Sequence, residues 1–250
     1  MKNLLYLFFL LGLGFPEALP APGGSKNEIK ISYQEKEFSF SKAEKKAIER
    51  VVKAAAPKLR ALLPNLPEAI HLSVGIIERN LDKVAGVAGR ADDHVGKGQI
   101  VLWISKVYPG GIQAAVRDGL PGAIYHEFHH LSRGWTIHNN KYGPGIPKAA
   151  VNEGLAVVFA EIYTGTRQEG NAYPPEVSTW VDEILKLPLD ANYMHWVSGQ
   201  HPDGREAIGY KAGNYIVRQA LEKSGKDILE LSQLSPREIL RLAGFETSDN

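Results

Sequence analysis

Apolar residues recur along this chain at two different periods. Ile70, Leu72, Val74 and Ile76 alternate with small or polar residues, which predicts a strand with one buried face. The run QIVLWIS predicts a second strand over 99–105, and a shorter one is expected over 28–33. Ile48, Val52, Ala55, Leu59 and Leu62 instead recur at helical spacing behind the capping-box residues Ser41 and Glu44. A helix is therefore expected to about residue 63, with Pro57 as a point where it kinks or splits. The stretch 80–98 is rich in Gly and Asp and predicts a loop or loose hairpin. From 112 onward the pattern is helical. Pro121 and Pro147 stand where first helical residues stand, predicting helices over 121–133 and 147–163. Further helices are expected over 176–187, over 205–224 with Gly225 as stop, and over 236–243 between Ser235 and Gly244. The fold class is α+β: a small β-containing lobe over about 28–108, then a mainly helical lobe over about 112–244.

The start of the chain stands apart. Lys2 is followed by an apolar run over 4–13, broken by Gly12, Gly14 and Pro16, with the small residues Ala18 and Ala21 after it. That is the layout of a secretory signal peptide, expected over 1–21, ahead of a domain over 22–250 that is secreted, periplasmic or held in the cell envelope. A membrane span takes about 20 apolar residues. This run is shorter, so an uncleaved anchor is the alternative, and no stable membrane insertion is expected once the leader is gone. The formal net charge is +1, and no basic block or basic-aromatic stripe exists, which argues against a nucleic-acid partner. The chain has no cysteine. Disulfides and a lipid-modified cysteine are excluded, and any metal must be held by His and carboxylates, a donor set that favours zinc.

The run His126-Glu127-Phe128-His129-His130 falls on the helix expected over 121–133. Residues four apart share a helix face, so His126 and His130 can reach one ion. At about 100° per residue, Glu127 lies about 80° from the line bisecting them. It is poorly placed as a third ligand and well placed to take a proton from zinc-activated water. Ile124, Phe128 and Leu131 gather on the opposite face as a core stripe. His129 flanks the ligand stripe and reads as a structural or ligand-supporting residue. Arg133 returns near the ligand face, either to pair with a carboxylate or to sit as a cation at the negative end of the helix.

A catalytic zinc takes three protein ligands and keeps one position open. One extended form of the motif places a Gly three residues after the second His and a third His three further on. Arg133 and Thr136 hold those places here, so that form is rejected. The next helix offers Val151-Asn152-Glu153-Gly154-Leu155-Ala156, in which Glu153 is surrounded by residues that favour burial. Gly154 beside it would let two helices approach closely. Glu161, two turns later on the same stripe, is the next candidate, as a ligand or as a carboxylate orienting a ligand histidine.

These features resemble the gluzincin branch of zinc metallopeptidases, in which a glutamate completes the site. More narrowly, they resemble a bacterial family of zinc-dependent proteases with the pattern HExxHxxR, then EGLA, then GYxxG. Here the first spans His126 to Arg133, the second Glu153 to Ala156, and the third is Gly209-Tyr210-Lys211-Ala212-Gly213. Trp196-Val197-Ser198-Gly199 answers a Trp-x-x-Gly element that usually precedes the last. The resemblance covers about 74–240. It implies a zincin-like fold with the histidine helix at a cleft, Zn2+ held by His126, His130 and Glu153, and Glu127 as general base. It also implies a Tyr or His that donates to the oxyanion, with Tyr210 first and His195 and His201 behind it. The implied substrate is a peptide or protein, lying along an edge strand for which 99–105 is the expected one.

The same zinc, base and oxyanion donor would serve hydrolysis of another amide or an ester, which is the alternative reading. A non-catalytic zinc-bearing module is a further one. It leaves Glu127 without a use and needs a fourth closing ligand, a place His129 or Glu161 could take. An anchored partner protein with a chance motif would bind no metal at all. Asp92-Asp93-His94 matches no calcium loop and reads as a solvated turn.

Overall fold

The computed structural model describes residues 28–35, 37–93 and 98–245, so the expected leader and His94 lie outside the described residues. Four strands, β1 (Ile29–Gln34), β2 (Ile70–Ile77), β3 (Val87–Asp92) and β4 (Gln99–Ser105), form one sheet in the order β1-β2-β4-β3. β1, β2 and β4 run parallel, and β3 lies antiparallel to β4 at the edge. Among the described residues there are eight α-helices, six of them expected and α2 and α7 not singled out beforehand: α1 (Lys42–Leu62), α2 (Gly111–Asp118), α3 (Leu120–Arg133), α4 (Ile146–Thr164), α5 (Val177–Ile184), α6 (Ile208–Ser224), α7 (Ile228–Leu231) and α8 (Pro236–Leu242). The fold is α+β, with a small sheet and a mostly helical remainder. The described residues divide into two compact units between Asn140 and Lys141. No described helix is long and apolar enough to cross a membrane.

The unit ending at Asn140 holds the sheet and α1 to α3. Ser41 and Glu44 form the expected capping box, and Pro57 lies inside α1 without dividing it. On one sheet face Leu72, Val74, Ile100, Leu102 and Ile104 are fully excluded from solvent. α2 packs on β4, α3 packs on β3 and β4, and α1 packs on α2 and α3. Ile48 and Leu59 of α1 and Ile124 and Phe128 of α3 complete this core.

Two expectations change here. β3 lies inside the stretch read as a loop or loose hairpin. Its inward residues Val87, Gly89 and Ala91 are small, because α3 presses on this strand, and small residues give little strand signal. β4 is therefore an interior strand, and the sheet edge on this side belongs to β3. Asp92 and Asp93 are buried (7% and 8% exposed) instead of lying in a solvated turn. Asp93 accepts hydrogen bonds from the Thr136 hydroxyl (2.8 Å), the His138 backbone N–H (2.8 Å) and the Asn139 side-chain amide. These bonds turn the chain leaving α3 back along the end of β3.

The unit beginning at Lys141 is built on α4 and α6, with α5 and α8 packed on α6 and α7 on α4. α6 starts at Ile208, three residues later than expected, behind Ala207 in a left-handed conformation (φ 49°). A π-helical turn over Met194–Ser198, which the sequence did not signal, precedes it. Gly199 ends that turn by donating its N–H to the Met194 carbonyl, and a Cβ there would stand 2.4 Å from that oxygen. α8 carries the foreseen cap at Ser235, with Glu238 completing a capping box.

Candidate metal centre

α3 is bounded by sequence-encoded signals. Pro121 lies in its first turn, and Gly134 (φ 71°) ends it, with the Trp135 N–H closing onto the His130 carbonyl at 3.0 Å. Burial of Ile124 and Phe128 fixes the rotation of the helix. His126 and His130 consequently share a face, with their Nε2 atoms 2.9 Å apart and their rings at 89°. Two neutral imidazole nitrogens this close oppose their lone pairs unless a cation or a shared proton lies between them. The separation is near the edge of about 3.3 Å expected for a tetrahedron with bonds of about 2.0–2.1 Å. His129 (1% exposed) and Arg133 (3%) are buried on the same helix.

Glu127 is also buried (5% exposed). It lies against β3 at Gly89, where an added Cβ would sit 2.9 Å from both Cγ and Oε1 of Glu127 and 2.6 Å from Leu102. Gly89 therefore contributes room for the carboxylate. It was not singled out from the sequence, although an isolated Gly within a strand is a known sign of close approach.

α4 is apolar around its whole circumference, and all its residues from Ala149 to Ala160 are buried. Glu153 is 1% exposed within that environment, where an ionised carboxylate is costly without a partner. Gly154 meets α6 at Gly213. A Cβ on Gly154 would stand 2.2 Å from the Gly213 carbonyl, and one on Gly213 would stand 1.9 Å from the Ala150 oxygen. Backbone thus touches backbone, and this crossing fixes the register of Glu153 on α4 against Tyr210 on α6. His126 and His130 each offer an imidazole nitrogen, and Glu153, buried on α4, offers a carboxylate oxygen. Two imidazole nitrogens and a carboxylate oxygen are a donor set suited to zinc.

Glu161 has a different occupation. It accepts from Arg218 of α6, with Arg167 at 3.8 Å, and Arg218 is itself braced by its Nε–H to Asn214 Oδ1 at 2.8 Å. Burial pushes the Glu161 carboxyl pKa up, opposed by the two guanidinium groups. Tyr210 lies in the first turn of α6 and is half-buried. Gly209 beside it lets α6 rest on the π turn, where a Cβ would meet Val197 Cα at 2.9 Å. His195 is exposed on that turn. His201 pairs with Asp203 at 2.8 Å and lies against Trp196, ring centres 4.4 Å apart.

No curated protein and no solved structure matches the chain. One family model does, over residues 69–241, which takes in β2 to β4 and nearly all of α2 to α8. On that match, the chain belongs to the family described as "Predicted Zn-dependent protease (DUF2268)".

Proposed function

We propose that the protein is a zinc metallopeptidase of the gluzincin kind, in which His126, His130 and Glu153 hold Zn2+ and Glu127 is the general base. The observation that carries this reading is the pair His126 and His130 on one helix face, Nε2 atoms 2.9 Å apart, with the Glu127 carboxylate buried on the same helix. Family membership supports zinc and proteolysis as the chemistry. Bound zinc supplies a Lewis acid that brings the pKa of water toward 7. Glu127 takes a proton from the attacking water and delivers it to the departing amine nitrogen. Its burial against β3 limits its rotamers, which favours a fixed position for that transfer. Tyr210 is assigned as donor to the oxyanion, a role that needs a hydroxyl held in place before the reaction. His195 and His201, the latter with its Nδ1 paired to Asp203, stand behind it as alternatives.

The edge of β3 favours a peptide over a small amide or ester. Gly86 accepts from Ser105 across the β3–β4 pair, so residues 88, 90 and 92 turn their backbone groups toward β4. Those of Val87, Gly89 and Ala91 face outward, and Ala91 already accepts from the Ile137 N–H at 3.3 Å. An extended peptide pairing at Gly89 would run beside Glu127.

The test is metal analysis joined to a peptide-library cleavage assay. Wild type and Glu127→Gln should both carry zinc at the helix site. Only wild type should cleave, and a chelator should abolish cleavage. Turnover on other amides with none on any peptide would move the assignment to a non-peptide hydrolase. Zinc-free protein would remove the enzymatic reading.

A further inference from the structure

We propose that Asp92, Asp93 and His138 form a second divalent-cation site, made of residues separate from the helix histidines and taking a borderline metal of the zinc class. One ligand atom from each of the three lies within 4.8 Å of the others. Asp92 and Asp93 are both buried, and Arg90 pairs with Asp92. Its Nε and Nη2 each lie 2.9 Å from Asp92 Oδ2. Adjacent buried carboxylates repel each other, and a divalent ion bound by both would offset that repulsion.

The spacing suits a bridging ion. Asp92 Oδ1 stands 3.9 Å from His138 Nε2, too far for a hydrogen bond and a span that two metal bonds of about 2.1 Å can bridge. The donors on Asp93 are the kind that orient a ligating carboxylate: the His138 N–H on Oδ1, with the Thr136 hydroxyl and the Asn139 amide on Oδ2. Oδ1, with a single donor, keeps a lone pair for a metal bond. A second observation points to a missing partner here. Gln99 lies directly opposite Asp92 across the β3–β4 pair, on the same sheet face. It is 6% exposed, and its Nε2 has no hydrogen-bond partner. A water oxygen at the cluster, including one carried by a bound ion, would accept from it.

Two oxygens and an imidazole favour zinc or manganese over calcium, which prefers oxygen alone. The His138 side chain is 43% exposed, which gives the ion a path to solvent and leaves its remaining positions to water. Such an ion would join the end of β3 to the chain leaving α3.

The test uses Zn2+ and the full chain, by equilibrium dialysis. The variant His126→Ala/His130→Ala, with the helix site disabled, should still bind one zinc per chain. Adding His138→Ala should weaken that binding at least tenfold. The exposed position of His138 makes loss of folding unexpected, and a melting curve without metal checks it. Zinc should also raise the melting temperature of the double variant and leave that of the triple variant unchanged. A double variant that binds no zinc overturns this site, as does binding indifferent to His138→Ala. Either result leaves the helix site standing. Conversely, wild type with a single zinc that survives loss of both helix histidines and is lost with His138→Ala would support this site and defeat the proposed function.

Discussion

Gly89 of β3 and Glu127 of α3 share one space: the strand omits a side chain where the helix places its carboxylate, and a Cβ would stand 2.9 Å from Oε1. Gly89→Ala must therefore displace Glu127 or Leu102. Overpacking of this kind costs about 1–3 kcal/mol. Misplacing a catalytic group by about 1 Å can lower turnover about a hundredfold. We expect kcat on a peptide substrate to fall by about ten- to a hundredfold while zinc content stays at the wild-type level. Unchanged kcat in a folded Gly89→Ala protein would show that the close approach does not set the base.

The two acidic residues of α4 should separate cleanly in a metal-retention assay. Glu153→Gln removes a proposed ligand and should lower zinc affinity at the helix site by at least tenfold. Glu161→Gln should leave that affinity unchanged, because Glu161 is committed to Arg218. It should instead lower stability, by about 1–3 kcal/mol, through loss of a charged hydrogen bond. Dialysis against graded zinc concentrations and urea unfolding read the two effects. A reversed pattern would transfer the ligand role to Glu161.

Where Gly154 faces Gly213, neither residue has room for a methyl group. Gly154→Ala or Gly213→Ala should destabilise the protein by about 1–3 kcal/mol or more, although alanine is the better helix former by about 1 kcal/mol. Urea midpoints for the two variants provide the measurement. A gain in stability in either would mean that the helices separate without penalty.

His71 gives a prediction with pH. It is buried beside Ser32, with Nε2 2.9 Å from the hydroxyl. Burial, and then the charge of Lys30, hold its pKa below the ordinary histidine value. A histidine lowered in the folded state contributes stability that is complete above its unfolded pKa of about 6.5 and lost as pH falls through and below that value. Wild type should lose stability between pH 7 and pH 5, and His71→Gln should lose less over the same interval. Parallel urea midpoints in the two proteins at both pH values would contradict the assignment.

Most of this architecture was legible from residue order. The alternation at Ile70 to Ile76, the capping residues Ser41 and Ser235, and the prolines at 121 and 147 each act locally, so their structural consequence can be read from a short window. The spacing of His126 and His130 dictates a shared face in the same way. What escaped was set by distant neighbours. β3 looked like a loop because its small residues answer to α3, which lies far ahead in the chain. Asp93 looked solvated because its three donors arrive more than forty residues later. The π turn at Met194–Ser198 has no local signature beyond the glycine that closes it.

An unpaired strand margin carries a hazard alongside the use proposed for it, since another copy of a chain can pair with such an edge as readily as a peptide can. β3 is six residues long, bears Arg90 and Asp92, and has its far end covered where Ile137 bonds to Ala91. Brevity, charge and partial cover are the means by which natural sheets discourage self-assembly. The stretch left open is about as long as a few residues of an extended chain, so the guard against fibrils and the doorway proposed for a peptide are the same half-strand.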